Sequence, residues 1–238
     1  MMAAVRHPDA TTLEALRTGR GGRLSMRVNE ASDAGALPRA VPAGFLVPGL
    51  DLGASASEAY YVGCEVAAVT HGDDEAISAS GALAAIIAGL MVGHSLAEAA
   101  DVARGFALPT VAGALGRAQT KRELGSAGAV QTGGLRGGPG SALEALELAL
   151  GCARLDTFDE AMDRVVSLPG DARAIGSICG SLIGARDGVE AIPETRLAWL
   201  DGRSVVEEVA DDCVEWLGWL ERAHEGAELG AAWLARYG

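Results

Sequence analysis

The chain's four histidines, His7, His71, His94 and His224, are its side chains best suited to proton transfer near neutral pH. They lie far apart, and no HxxxH or HxH pair sets two of them around a metal. Only His71 sits at a loop-to-helix junction beside carboxylates, in Thr70-His71-Gly72-Asp73-Asp74-Glu75. That run reads as a loop turning into a helix, because carboxylates in a first turn complement the helix dipole. A histidine there is more often a cap or a loop hydrogen-bonder than a catalyst. Asp171, in Leu168-Pro169-Gly170-Asp171, follows a helix-breaking Pro-Gly and is placed to cap the next helix. Gly133, Gly134, Gly137, Gly138 and Gly140 cluster around Pro139 without a preceding strand or a GK[ST] ending, so they read as a flexible surface loop. No GxSxG elbow, P-loop lysine or HExxH motif occurs. Cys64, Cys152, Cys179 and Cys213 are too scattered for a zinc knuckle or CxxC redox chemistry. They read as reduced, mostly buried thiols of a cytoplasmic protein.

The elements that must position these residues are helices. Of 238 residues, 49% are apolar but only 4% aromatic, with 33 glycines, so the core must be Ala, Leu, Val and Ile with backbones close together. Alternating β-type runs hardly occur, and the pattern predicts about ten helices in one all-α domain over 1–238. Helices are expected after Pro8-Asp9, over about 36–47, from a Ser57 cap to about Val69, from Asp73 to Val92, and from a Ser95 cap. Residues 105–140 read as the least regular stretch. Further helices are expected over 141–154, 157–167, 171–187, from Pro193, 205–220 and 229–237. Gly176, Gly180, Gly184 and Gly188 form one four-residue stripe, and Gly81, Ala85, Gly89 and Gly93 another. Because helical glycine costs about 0.5–1 kcal/mol relative to alanine, both stripes are expected to face close helix neighbours, each other included. A net charge of −13 argues against nucleic acid and anionic membranes as partners. The amino terminus lacks signal-peptide features, and the apolar run 82–92 is too short to cross a bilayer.

Four segments, in order, carry a resemblance. Ser32-Asp33-Ala34-Gly35-Ala36-Leu37-Pro38-Arg39 resembles an SNGxxMRxxP segment, and Thr70 to Ala76 a THGDPxA helix opening. Leu168 to Gly176 resembles a GGDxDTxGAI helix start, and Gly188 to Glu194 a G-x-x-A-I-P-E segment. Together they are similar to the ADP-ribosylglycohydrolase family over about residues 5–215, with extra carboxy-terminal helices beyond. The resemblance implies a compact all-α fold and hydrolysis of ADP-ribosyl bonds by a magnesium pair held on carboxylates and threonines. It places ligand contacts at Ser32, Asp33, Gly35, His71, Gly137, Gly138 and Arg173, and a catalytic role at Asp171.

The departures from the family bear on that chemistry. Segments like the family's GDALG and TDDT find no counterpart here. Arg173 stands at the second aspartate position of the carboxy-terminal motif and Ala174 at the threonine position, leaving only Asp171. Magnesium needs hard oxygen ligands, so no metal is expected. Asp33 replaces an asparagine, and Gly137-Gly138-Pro139 lacks the usual aromatic. The leading expectation is a pseudoenzyme that binds an ADP-ribose-like small molecule or a protein partner. A partner or second copy would cover the face left by the absent segments. Its rivals are a hydrolase completed by another chain or using Asp171 as a metal-free general base, and a scaffold without a pocket.

Overall fold

The computed structural model describes residues 10–18, 29–45, 52–120, 140–222 and 228–237. Every regular element among them is helical, apart from one isolated β-bridge between Asp33 and Ser141. The chain divides into two units, residues 1–191 and 192–238.

The first unit is built around α4 (Asp74–Met91), in which fourteen of eighteen residues are buried. A helix apolar on all sides must be wrapped by others. Around it pack α2 (Leu37–Ala40), α3 (Leu52–Ala68), α5 (Leu96–Arg104), α6 (Pro109–Thr120), α7 (Ala142–Cys152) and α9 (Ala172–Asp187). α8 (Phe158–Val166) packs on α7 and α9, and α1 (Ala10–Thr18) precedes them all in sequence. By length and composition α4 could span a membrane, contrary to the reading of 82–92 alone, but here it is the buried centre of the unit.

Local sequence explains the helix starts. Asp73, Ser95, Ser141, Thr157 and Asp171 each accept backbone N–H bonds as N-caps, and Ser95 with Glu98 completes a capping box. Three expectations are corrected. α3 begins at Leu52, so Ser57 lies inside it: Ser55 and Ala56 are already buried in the helix ahead of it. Within the stretch read as irregular, α6 forms because Val111, Ala114, Leu115 and Ala118 bury one face at helical spacing. The helix expected over 36–47 is α2 flanked by 3₁₀ turns at Ala34–Ala36 and Val41–Phe45.

The glycine stripes are also corrected. A Cβ on Gly81 would stand 2.5 Å from Cys64 Sγ and 2.7 Å from the Tyr60 carbonyl, and one on Gly63 3.1 Å from the Gly81 Cα. The small-residue crossing is therefore between α3 and α4. The α9 glycines are half-exposed: a Cβ on Gly180 meets only Phe158 at 3.9 Å, and one on Gly184 meets nothing. α9 instead buries Ile175, Ile178, Cys179, Leu182 and Ile183 on its other side.

The second unit contains α10 (Glu194–Leu197), α11 (Arg203–Arg222) and α12 (Ala231–Tyr237). Within it Trp233 Nε1 donates to the Asp212 carbonyl at 3.2 Å, and the Trp233 and Tyr237 rings lie 5.0 Å apart.

This packing predicts opposite outcomes for two glycine-to-alanine changes. Gly81→Ala should destabilise by about 1–3 kcal/mol through overpacking. Gly184→Ala should stabilise by about 0.5–1 kcal/mol, because a helical glycine is relieved without a clash. Urea denaturation of the two variants beside the parent checks both signs.

Candidate functional site

In the first unit, four connections meet in one junction. The Ala34 N–H donates to the Gly140 carbonyl at 3.2 Å, and the Ala142 N–H to the Ser32 carbonyl at 2.8 Å. Asn29 ties in a third segment: its Oδ1 accepts from the Ala31 and Gly72 N–H groups, both at 3.0 Å, and its Nδ2 donates to the Thr70 carbonyl at 2.9 Å. Gly72 is required there, since a Cβ would lie 1.8 Å from the Asn29 carbonyl oxygen. The fourth segment is Gly170-Asp171, whose Gly170 has φ +101° and lies against Glu144.

Asp33 and His71 form the centre of the polar network. His71 is fully buried, with Nε2 3.1 Å from Asp33 Oδ1 and Nδ1 2.8 Å from Thr70 Oγ1. The Arg39 guanidinium donates to the Thr70 hydroxyl, and to the Thr12 hydroxyl at 2.8 Å. Because the Asp33 carboxylate only accepts, the His71 Nε2 facing it carries a proton and donates. Asp33 also accepts from the Gly35 N–H at 2.9 Å and from the Thr11 hydroxyl at 2.6 Å. The His71 hydrogen bond first, with those of Thr11 and Gly35, outweighs partial burial and holds the Asp33 carboxyl well below the usual carboxylate range.

Glu144, in the first turn of α7, is buried. Its Oε2 accepts the Gly140 N–H at 2.6 Å, while Oε1 has no hydrogen-bond partner among the described residues. Asp171 Oδ1 accepts the N–H groups of Arg173 and Ala174 at 3.0 and 3.3 Å, capping α9. The Arg173 side chain folds back on the same carboxylate at 3.4 and 3.5 Å and is 82% exposed. Partial burial pushes the Asp171 carboxyl up, but the Ala174 N–H and the Arg173 contacts together bring it below its ordinary value.

The structure thus brings Ser32, Asp33, Gly35 and His71 together, with Asp171 and Arg173 joined through Gly170 and Glu144. Gly137 and Gly138 lie outside the described residues. Ser32 contributes its carbonyl to α7, and the Gly35 N–H is engaged by Asp33. Sequence reasoning missed Thr11, Thr12, Asn29, Arg39 and Glu144, whose partners are 22 to 43 residues away or across a glycine turn. Burial pushes the thiols of Cys64 and Cys152 up to about 11 and that of Cys179 to about 12, so none is a ready nucleophile.

An all-α core with its polar residues gathered where helix-opening loops meet defines a class of protein in which loops on a rigid helical frame carry the site. The sequence pattern of the ADP-ribosylglycohydrolase family matches residues 2–225, and the chain belongs to that family. It is similar to a solved structure described as an ADP-ribosylglycohydrolase-related protein complex, with a TM-score of 0.62 and 28% identity. The likeness covers 85% of this chain and 67% of that one. No curated protein matches the chain.

The family's magnesium does not fit the residues present at this junction. Near-octahedral magnesium needs several hard oxygens. Asp171 is engaged as a cap, Arg173 brings a positive charge and Ala174 no donor. Among the described residues no group of three or more His, Cys, Asp or Glu could hold a metal ion.

The Asp33 geometry generates a pH prediction. A carboxyl whose folded value is depressed contributes stability above its unfolded value, about 3.8, and loses it as the pH falls toward the folded value. Asp33→Asn should therefore be less stable than the parent at pH 7, and the gap should close as the pH drops below about 3.8. His71→Ala should cost about 1–3 kcal/mol, because it leaves buried partners unsatisfied. Urea titrations across pH check both.

Proposed function

We propose that this protein binds an ADP-ribose-like small molecule at the junction of residues 32–35, 70–73 and 170–173, and that it does not perform magnesium-dependent ADP-ribosyl hydrolysis. The observation that carries the reading is the state of Asp171. Its carboxylate closes the amino terminus of α9 and faces a guanidinium from the position where the family motif has its second aspartate. A metal pair concentrates four positive charges and needs surrounding carboxylates to activate a water near neutral pH. Arg173 adds a fixed positive charge instead, and its exposed planar fork suits the diphosphate of such a ligand.

The same reading makes the protein a cytoplasmic one, supported by its free thiols. A protein partner or second copy belongs to it as well, since the similar solved structure is of a complex. A hydrolase completed by a partner chain is the rival reading.

Calorimetry with ADP-ribose separates the two. Affinity should be the same with magnesium as with a chelator. Arg173→Ala should lower it by about tenfold, as expected for losing a charged hydrogen bond. Asp171→Ala should leave binding in place and cost about 0.5–2 kcal/mol of stability as a lost cap. No turnover of ADP-ribosylated arginine or serine peptides is expected. Two-site magnesium binding, or turnover abolished by Asp171→Asn, would overturn the proposal in favour of the rival.

A further inference from the structure

The second unit presents a surface that the candidate site does not use. Along α11, Val205, Val209, Cys213, Trp216 and Leu220 recur at spacings of three and four residues, so they share one side of the helix. Val205 and Val209 are 59% and 47% exposed. Against this side, Val209, Asp212, Cys213, Trp216, Trp233 and Tyr237 line an open pocket of about 330 Å³, large enough for a big apolar side chain. Carboxylates border the apolar side along one edge, where Asp212 and Glu208 lie.

The charge around that face decides what can cover it. Arg203 is shared by Glu194 and Glu207, and Arg236 by Glu208 and Asp212. Each arginine therefore meets two carboxylates, so both groups, including the Glu208–Asp212 border, keep a net negative charge. Residues 192–238 hold ten acidic residues against four arginines, a net of −6. A second copy would bring an equal negative charge to the same face, and like charge opposes that pairing. A cationic partner is drawn in by the same field.

We infer that the apolar side of α11 docks a basic amphipathic helix of a protein partner. A large apolar residue of that helix fills the pocket between Trp216 and Trp233, and its lysines or arginines lie along the Glu208 and Asp212 border. This is the helix-against-apolar-face mode of recognition, with apolar anchors for affinity and border charge for choice of partner.

Cys213 reports on the face directly. It is exposed and lines the pocket, whereas Cys64, Cys152 and Cys179 are buried. The full chain is labelled with a maleimide, alone and with a synthetic leucine–lysine amphipathic helix as long as α11. The expected result is fast labelling of Cys213 in the free monomer, slowed at least about tenfold by saturating peptide. A leucine–glutamate helix and a lysine peptide lacking an apolar side should not slow it. Val209→Glu, an exposed change checked by unaltered circular dichroism, should abolish the protection. Equal protection by the acidic helix, or protection that survives Val209→Glu, overturns the inference. So does slow labelling of the free monomer, which would mean the face is covered by its own chain. A dimer in light scattering that Val209→Glu disperses assigns the face to a second copy and overturns it too.

Discussion

A helix with no polar side cannot end at a surface; it has to be surrounded. α4 imposes that requirement on the first unit, since fourteen of its eighteen residues are buried. With few aromatics available, the surrounding helices approach through small residues, most closely where Gly63 of α3 crosses Gly81 of α4. At the start of α4 Asp73 is the cap, His71 lies just before it in the interior and Gly72 sits against Asn29. The polar junction thus forms where the enclosed helix begins.

Within the junction, almost every carboxylate oxygen has a specific structural partner. Asp33 gathers a histidine, a threonine and a backbone N–H; Asp73 and Asp171 close helix ends; Glu144 holds Gly140. For Asp33 and Asp171 these bonds hold the carboxyl below its ordinary value. Among the described residues Glu144 Oε1 is buried without a partner, beside the positive-φ glycines Gly140 and Gly170. An unpaired buried oxygen is costly, so its position beside two turns of the site marks a place where packing yields to another requirement.

The acidic balance of the chain is distributed unevenly in consequence as well as in number. In the first unit, acidic groups such as Glu147, paired with Arg117 across α6 and α7, lie within the packing. In residues 192–238 Glu208 and Asp212 lie along one edge of an exposed apolar side. Two acidic groups of the first unit, Glu144 and Glu147, are thus taken into the packing, whereas Glu208, beside the apolar side of α11, faces solvent.

Much of the architecture was legible in the sequence because it is written in local terms. Helix periodicity, the caps at Ser95 and Asp171, and the family motifs depend on residues within a turn or two of each other. The substitution of Arg173 and Ala174 in the carboxy-terminal motif was likewise visible residue by residue. What the sequence could not supply were choices between equivalent local patterns. Two glycine stripes look alike in spacing, yet only the one on α4 meets a backbone, because α9 turns its Ile and Leu side inward. Ser57 looks like a cap, but burial of Ser55 and Ala56 had already committed the chain to helix. The bonds from Thr11 to Asp33, from Arg39 to Thr70 and from Asn29 to Gly72 join positions 22 to 43 residues apart. Such pairings carry no periodic signal, since they exist only once the helices between them have packed, and so tertiary structure alone decided which polar residues make the site.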